Sequence, residues 1–152
     1  MQKILLFMMP VLFICLSYSS SGQSAPTSEF TGAEATLQHY KALYILNQSD
    51  DKKIRGIIRN ISNALEDPRL KGKLDVELVV FGDGVEIYRK ANHYDTLLTV
   101  LQSKGVILAQ CSNTVRERKI NKDDLWPFIS YVPSGNGEII IRQSQGWVGV
   151  HP

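Results

Sequence analysis

Apolar and polar positions form two kinds of block along the chain: short apolar runs, and longer stretches in which apolar residues recur at helical spacing. Three apolar runs predict strands over 41–46, 74–84 and 106–111, and the run Leu78 to Phe81 has the character of a strand buried on both faces. Between them, helical spacing predicts helices over 51–68 and 94–105. Because strand and helix alternate, the sequence predicts a three-layer α/β/α domain with a mostly parallel sheet of about four to five strands.

The helix ends and the last third of the chain are predicted from capping and turn residues. Asp50 suits the start of the first helix, and Leu97 is expected to face inward with Leu98 and Leu101 in the second. Thr114 and Glu117 have capping-box spacing, which predicts a short helix beginning at Thr114. KDDLWPFI predicts one turn of helix that stops at Pro127, Gly146 as a C-cap favours a helix over 136–145, and WVGV predicts the last strand.

The N-terminus has the three-part pattern of a secretory signal peptide. Lys3 gives a positive start, residues 4–16 are apolar, and small polar residues follow. We expect a signal peptide over 1–22, with cleavage after Gly22 or after Ala25, and the alternative is an uncleaved anchor. A flexible leader over 23–38 and one domain over 39–152 would complete the chain, and the protein would be exported, either to a periplasm or into the medium.

Charge excludes one class of function. The net charge is +2 and basic residues are scattered along the chain, so the sequence does not indicate a nucleic-acid-binding protein.

Cys111 is the main candidate for chemistry. It ends the third predicted strand, and ligands in open α/β sheets bind beyond the carboxyl ends of the strands. A helix start follows it, and Arg116 and Arg118 lie five and seven residues later, so backbone N–H groups and positive charge would favour its thiolate. The other cysteine, Cys15, lies in the predicted signal peptide. The alternative is a buried cysteine that acts as a small hydrophobic residue.

Other residues at the same sheet edge are weaker candidates. A Cys–His pair with His93 would activate the thiol, although a solvated loop histidine is the better interpretation. Gly82 and Gly84 fit a tight turn, because Ile87 stands where a dinucleotide fingerprint has its third glycine. The histidine spacing matches no metal site, and neither a cofactor nor a hydrolase or nucleotide-enzyme motif is indicated. The remaining rim candidates for ligand binding are Asn47 and Asn113.

From about Tyr40 to Pro152 the chain resembles the DsrE/DsrF-like family, most closely its single-domain, largely uncharacterised branch. Four pieces carry the resemblance: KALYILNQSDDKKIRGIIRNISNALED, DVELVVFGDGVEIY, KGVILAQCSNTVRERKI and VPSGNGEIIIRQSQGWVGVHP. The resemblance implies a three-layer α/β/α fold and assembly into trimers or hexamers. Sulfur-relay members hold sulfur as a persulfide on a cysteine after this strand, which is Cys111 here, and the loop Gly82 to Gly84 also matches.

One departure leaves two functions open. The sulfur relay of the family operates in the cytoplasm with partner proteins, whereas this chain is expected to be exported. The first hypothesis is a sulfur carrier or redox protein acting through Cys111, with a sulfur donor or acceptor protein as partner and Arg116 or Arg118 stabilising the anion. The second is a non-enzymatic, oligomeric small-ligand-binding module with a rim site near Asn47, Gly82, His93 and Cys111.

Overall fold

The structure is a computed structural model that describes residues 29–151. Residues 29–33 belong to a separate N-terminal unit and carry no helix or strand, and the regular elements of the described residues lie in the compact unit that begins at Glu34. The strands are β1 (Tyr40–Leu46), β2 (Leu74–Val80), β3 (Ile107–Cys111), β4 (Ser130–Val132) and β5 (Val148–Val150). The α-helices are α1 (Asp51–Glu66), α2 (Asp95–Ser103), α3 (Ser112–Glu117) and α4 (Gly135–Ser144). Turns of 3-10 helix cover Gly82–Tyr88, Lys90–Asn92 and Lys122–Asp124.

The predicted signal peptide over 1–22 lies outside the described residues, as does the first part of the leader. Where the structure describes the leader, from residue 29 to residue 38, it carries no helix or strand. Among the described residues, no helix combines the length and the apolar character needed to cross a membrane.

The five strands form one parallel sheet in the order β4-β3-β2-β1-β5. The predicted α/β/α fold is therefore confirmed. From β1 to β4 the chain steps across the sheet in one direction, and β5 returns to the other side of β1. Because crossovers between parallel strands are right-handed, this reversal places α4 on the face opposite to α1, α2 and α3.

The two faces of the sheet bury unequal cores. On the first face, the α1 stripe of Ile54, Ile57, Ile58 and Ile61 packs with alternate strand residues such as Leu78. On the second face, a smaller cluster forms around Leu43, Val79 and Trp147, with Ile139 of α4 packed against it. The larger core therefore lies on the face covered by α1 and α2, and α4 packs over the smaller core on the other face.

Several predictions about elements are confirmed. Asp50 caps α1, where its Oδ1 accepts the Lys53 N–H at 3.0 Å. Leu78, Val79 and Val80 are fully buried in a strand that is covered on both faces. Cys111 ends β3, as its position in the apolar run indicated.

Three other predictions, on two element boundaries and one inward-facing residue, are wrong. The helix that follows β3 begins at Ser112, so Thr114 lies inside it and is not its N-cap. The second strand ends at Val80, since the chain turns into 3-10 helix at Gly82. Leu97 is exposed on α2, because the inward stripe of this short helix is filled by Leu98 and Leu101.

The segment between α3 and α4 also differs from the prediction. Its helical turn is 3-10 and ends at Asp124, and Leu125 then pairs with Arg89 in an isolated antiparallel bridge. The short edge strand β4 follows, which hydrophobic patterning did not predict.

Candidate functional site

Cys111 lies at the point where the sheet reverses its winding. β3 and β4 are neighbours, and the last residue of β3, Cys111, is in register with Val132 of β4. After β3 the chain turns into α3 on one face of the sheet, whereas after β4 it turns into α4 on the opposite face. A crevice opens between two such diverging connections, and this is where open α/β sheets place their ligands.

A cleft of about 280 Å³ occupies this crevice. Its lining residues come from the connections that follow β2, β3 and β4: Phe81, Gly82, Cys111, Asn113, Thr114, Glu117, Arg118, Ser134, Gly135 and Asn136. Cys111 is only 5% exposed and carries a free thiol. The thiol is therefore reached through the cleft, and the rest of the lining is mainly polar.

Hydrogen-bond donors converge on the thiol from two helix N-termini. Burial raises the pKa of the Cys111 thiol, but four donors outweigh it, so that the net effect lowers the pKa below that of an ordinary cysteine. In order of effect they are the backbone N–H groups of Thr114 and Gly135, the Thr114 hydroxyl and the Asn113 N–H. A thiol in this setting is a better nucleophile at neutral pH, because the thiolate is the reactive form.

Thr114 connects the loop after β2 to the thiol. Its Oγ1 accepts the Gly82 N–H at 3.0 Å, which leaves the hydroxyl hydrogen free to point at Cys111. Gly82 has φ +56°, a left-handed conformation that glycine adopts without strain. The glycine after β2 therefore fixes the orientation of Thr114, and Thr114 in turn favours the thiolate.

The start of α4 supplies the donor from the other side. The Ser134 hydroxyl accepts the Gly137 N–H at 3.2 Å and caps the helix, while the Gly135 N–H is directed at Cys111. A Cβ on residue 135 would lie 3.0 Å from two side-chain carbons of Phe81, so a larger residue would require Phe81 or the helix start to shift. The absence of a side chain at Gly135 lets this backbone approach the thiol.

The two predicted arginines sit differently from each other. Arg118 lines the cleft and pairs with Asp83 at 2.6 Å, so its charge is held at the mouth of the cleft. Arg116 does not line the cleft and lies on the surface, 3.8 Å from the carboxylate of Glu117. The groups that lower the thiol pKa are backbone and hydroxyl donors, not these guanidinium groups.

The structure brings only some of the other predicted residues to Cys111. Gly82 and Asn113 line its cleft, and Gly84 is buried against the end of β1. Asn47 lines a different cleft of about 200 Å³, shared with Lys53 and His151. His93 is exposed at the end of the second 3-10 helix with φ 55° and lines neither cleft.

The contribution of α4 to the site was not predicted from the sequence. Ser134 and Gly135 reach the thiol only because β4 lies beside β3, and β4 was not predicted. The available signal was the SGNG sequence, in which a serine three residues before a glycine suits a helix N-cap. Within residues 29–151, no group of three His, Cys, Asp or Glu side chains is placed to bind a metal ion.

Comparison with known proteins agrees with this architecture. The model of a family described as the DsrE/DsrF-like family matches residues 11–152. Among solved structures, the chain is similar to MTH1491, a protein of unknown function from Methanobacterium thermoautotrophicum, with a TM-score of 0.69 and 30% sequence identity. That similarity covers 74% of this chain and 99% of the other. No protein in the curated set matches the chain.

Proposed function

The chain belongs to the DsrE/DsrF-like family, and from this premise we propose that it is an exported thiol protein that carries sulfur as a persulfide on Cys111. The observation that supports this proposal most strongly is the setting of the thiol. Cys111 is free, lies at the bottom of a polar cleft, and has a pKa lowered by donors from two helix starts. A cysteine kept only for packing needs none of these donors.

The proposed step transfers one sulfur atom from a small or protein-bound persulfide, R–S–SH. The Cys111 thiolate attacks the outer sulfur, a new S–S bond forms, and the bond between the two donor sulfurs breaks. The electron pair leaves with the donor as R–S⁻, and the protein holds Cys111–S–SH. No external oxidant or reductant is needed, because the sulfane sulfur changes carriers without a net change of oxidation state.

The cleft suits both the attack and its product. Donors that stabilise the thiolate also stabilise the persulfide anion, since both place negative charge on sulfur. The added sulfur extends the side chain by one atom into a space of about 280 Å³. Arg118 at the mouth contributes positive charge toward an arriving or leaving anion, although Asp83 neutralises part of it.

We further propose that the protein acts as a homo-oligomer, a trimer or hexamer, with a sulfur donor or acceptor protein as its partner. The surface of α4 supports association, because Ile140 and Ile141 are 66% and 52% exposed. The two edge strands, β4 and β5, have three residues each and leave one side of each strand unpaired in the sheet.

A second candidate is a non-enzymatic module that binds a small ligand in the same cleft. The polar lining favours it, since Asn113, Ser134 and Asn136 offer several donors and acceptors to a ligand. In that case Cys111 would shape the cleft without exchanging sulfur.

Intact mass spectrometry of the protein from its native compartment tests export and sulfur loading together. We expect a chain that begins at Gln23 or Pro26, with a fraction heavier by one sulfur atom that a thiol reductant removes. A chain that begins at Met1 in the membrane fraction would contradict export. A processed chain that never carries the extra mass would favour the binding module.

A further inference from the structure

A fully buried carboxylate lies in the middle of the sheet and has no role in the chemistry above. Glu77 stands on β2, in register with Leu43 of β1 and Ile107 of β3, and it is 0% exposed. Arg142 of α4 reaches down to it, with Nε 2.7 Å from the Glu77 carboxylate. The same Nε lies 2.8 Å from Glu138, and the guanidinium lies 4.6 Å from the centre of the Trp147 ring.

This contact decides which side of α4 faces the sheet. Gly135, Glu138, Ile139 and Arg142 follow one another at helical spacing and form the sheet-facing stripe, whereas Ile140 and Ile141 point to solvent. Successive residues of an α-helix lie about 100° apart around its axis, so a rotation of α4 by about that angle would bring Ile140 to face the sheet. Apolar burial alone would favour such a rotation. The contact between Arg142 and Glu77 is the ion pair that joins this polar stripe to the sheet.

The rotation of α4 also sets the position of the Gly135 N–H. Gly135 lies seven residues before Arg142, which is about two helical turns or roughly 10 Å along the same stripe. A turn of α4 about its axis would change the position of the Gly135 N–H relative to Cys111, whereas the donors of Thr114 belong to α3 and would not move with it. Buried ion pairs seldom add stability over well-packed apolar residues, and their better-established use is to fix one arrangement among several.

We propose that the Glu77–Arg142 pair is a positioning device for the Cys111 thiolate, which locks the rotation of α4 and thereby keeps the Gly135 N–H on the sulfur. The inference rests on the proposed function, because it assigns these residues to the reactivity of the same thiol. Burial raises the pKa of the Glu77 carboxyl, the positive charge of Arg142 opposes this rise, and the negative charge of Glu138 adds to it, so Arg142 favours the charged form of Glu77.

The test is the rate of Cys111 alkylation by iodoacetamide as a function of pH in the double variant Glu77→Leu/Arg142→Met. This variant removes one negative and one positive charge, so the net charge near the thiol is unchanged and a direct electrostatic effect is small. We expect it to fold, with the midpoint of the pH profile moved upward and the rate at neutral pH reduced by about three- to tenfold. A role limited to stability would leave the midpoint where it is.

Arg55→Met is the matched control. Arg55 also pairs with a carboxylate, Asp51 at 2.9 Å, and also lies over an aromatic ring, 5.3 Å from the centre of Tyr94. Arg55 stands on α1 and does not line the Cys111 cleft. Its ion pair, with Asp51, lies within α1 and not against α4. Its loss should leave the pH profile of the thiol unchanged.

The outcomes separate the two proposals. Suppose that the alkylation midpoint of native Cys111 is lowered and that the folded double variant has the same midpoint. That result would overturn the positioning role and leave the proposed function standing. A native midpoint equal to that of free cysteine would overturn both. If the double variant does not fold, Glu77→Gln/Arg142→Met replaces it, since it keeps the shape of residue 77 and still removes one charge of each sign. An unchanged midpoint in that folded variant is equally decisive against the positioning role.

Discussion

Replacing Cys111 with serine is expected to abolish the uptake of sulfur from a persulfide donor while the protein remains folded. Serine is close to cysteine in size, and its hydroxyl accepts the hydrogen bonds that the thiol receives from Thr114 and Gly135. However, the hydroxyl does not ionise at neutral pH and forms no S–S bond. Intact mass after incubation with a small-molecule persulfide, followed by treatment with a reductant, measures the uptake directly.

The matched control for this variant is Cys15→Ser in the full-length chain. Cys15 is the other cysteine of the sequence, and its loss should leave uptake on Cys111 unaffected. If Cys111→Ser still gained one reducible sulfur atom, the proposed carrier residue would be wrong.

Gly84→Ala should destabilise the fold by about 3 kcal/mol or more. A Cβ at this position would lie 2.9 Å from the carbonyl carbon of Leu46 and 3.2 Å from the backbone nitrogen of Asn47. Both atoms belong to the backbone at the end of β1, so no side chain can move aside to make room. Urea-induced unfolding measures the loss, and a midpoint within error of the native protein would contradict the close packing described here.

Gly56→Ala provides the comparison. Gly56 lies inside α1, and a Cβ there would meet nothing within 4 Å. Alanine is the better helix former, so this variant should be more stable by about 0.5–1 kcal/mol. If the free energy of unfolding falls in Gly84→Ala and rises in Gly56→Ala, the glycine at position 84 is required by packing and not merely tolerated.

The long elements of the fold were predictable because their patterns are strong. The isoleucine stripe of α1 has a clear helical period, β2 ends in the apolar run Leu78 to Val80, and Asp50 marks the start of α1. Together with the apolar run over 106–111 that ends at Cys111, the alternation of such strands and helices predicts the parallel α/β/α architecture and places Cys111 at the carboxyl edge of the sheet.

The part of the candidate site that the start of α4 supplies was not predictable, for a physical reason. β4 has three residues, Ser130–Val132, and lies at the edge of the sheet, so it has neither the length nor the alternation that marks a strand. Without β4, nothing in the sequence indicates that the start of α4 returns to Cys111. The donor from Gly135 is thus a consequence of tertiary structure.

The role of Thr114 was predicted wrongly because a threonine followed three residues later by glutamate fits both a helix N-cap and a position inside the helix. The spacing of Thr114 and Glu117 fits a capping box, but Cys111 occupies the N-cap position and supplies no side-chain cap. Thr114 is instead one turn inside the helix, where its hydroxyl contacts Gly82 and Cys111.

The alkylation rate of native Cys111 against pH tests the central claim most directly. A thiol activated by the surrounding donors should react quickly in the folded protein, with a midpoint below the value of about 8.5 for free cysteine. Thr114→Val should move the midpoint upward because it removes the hydroxyl, whereas Thr114→Ser should retain the native profile. A native thiol that titrates at or above the value of free cysteine, or that resists alkylation until the protein is denatured, would contradict the account and leave Cys111 as a packing residue.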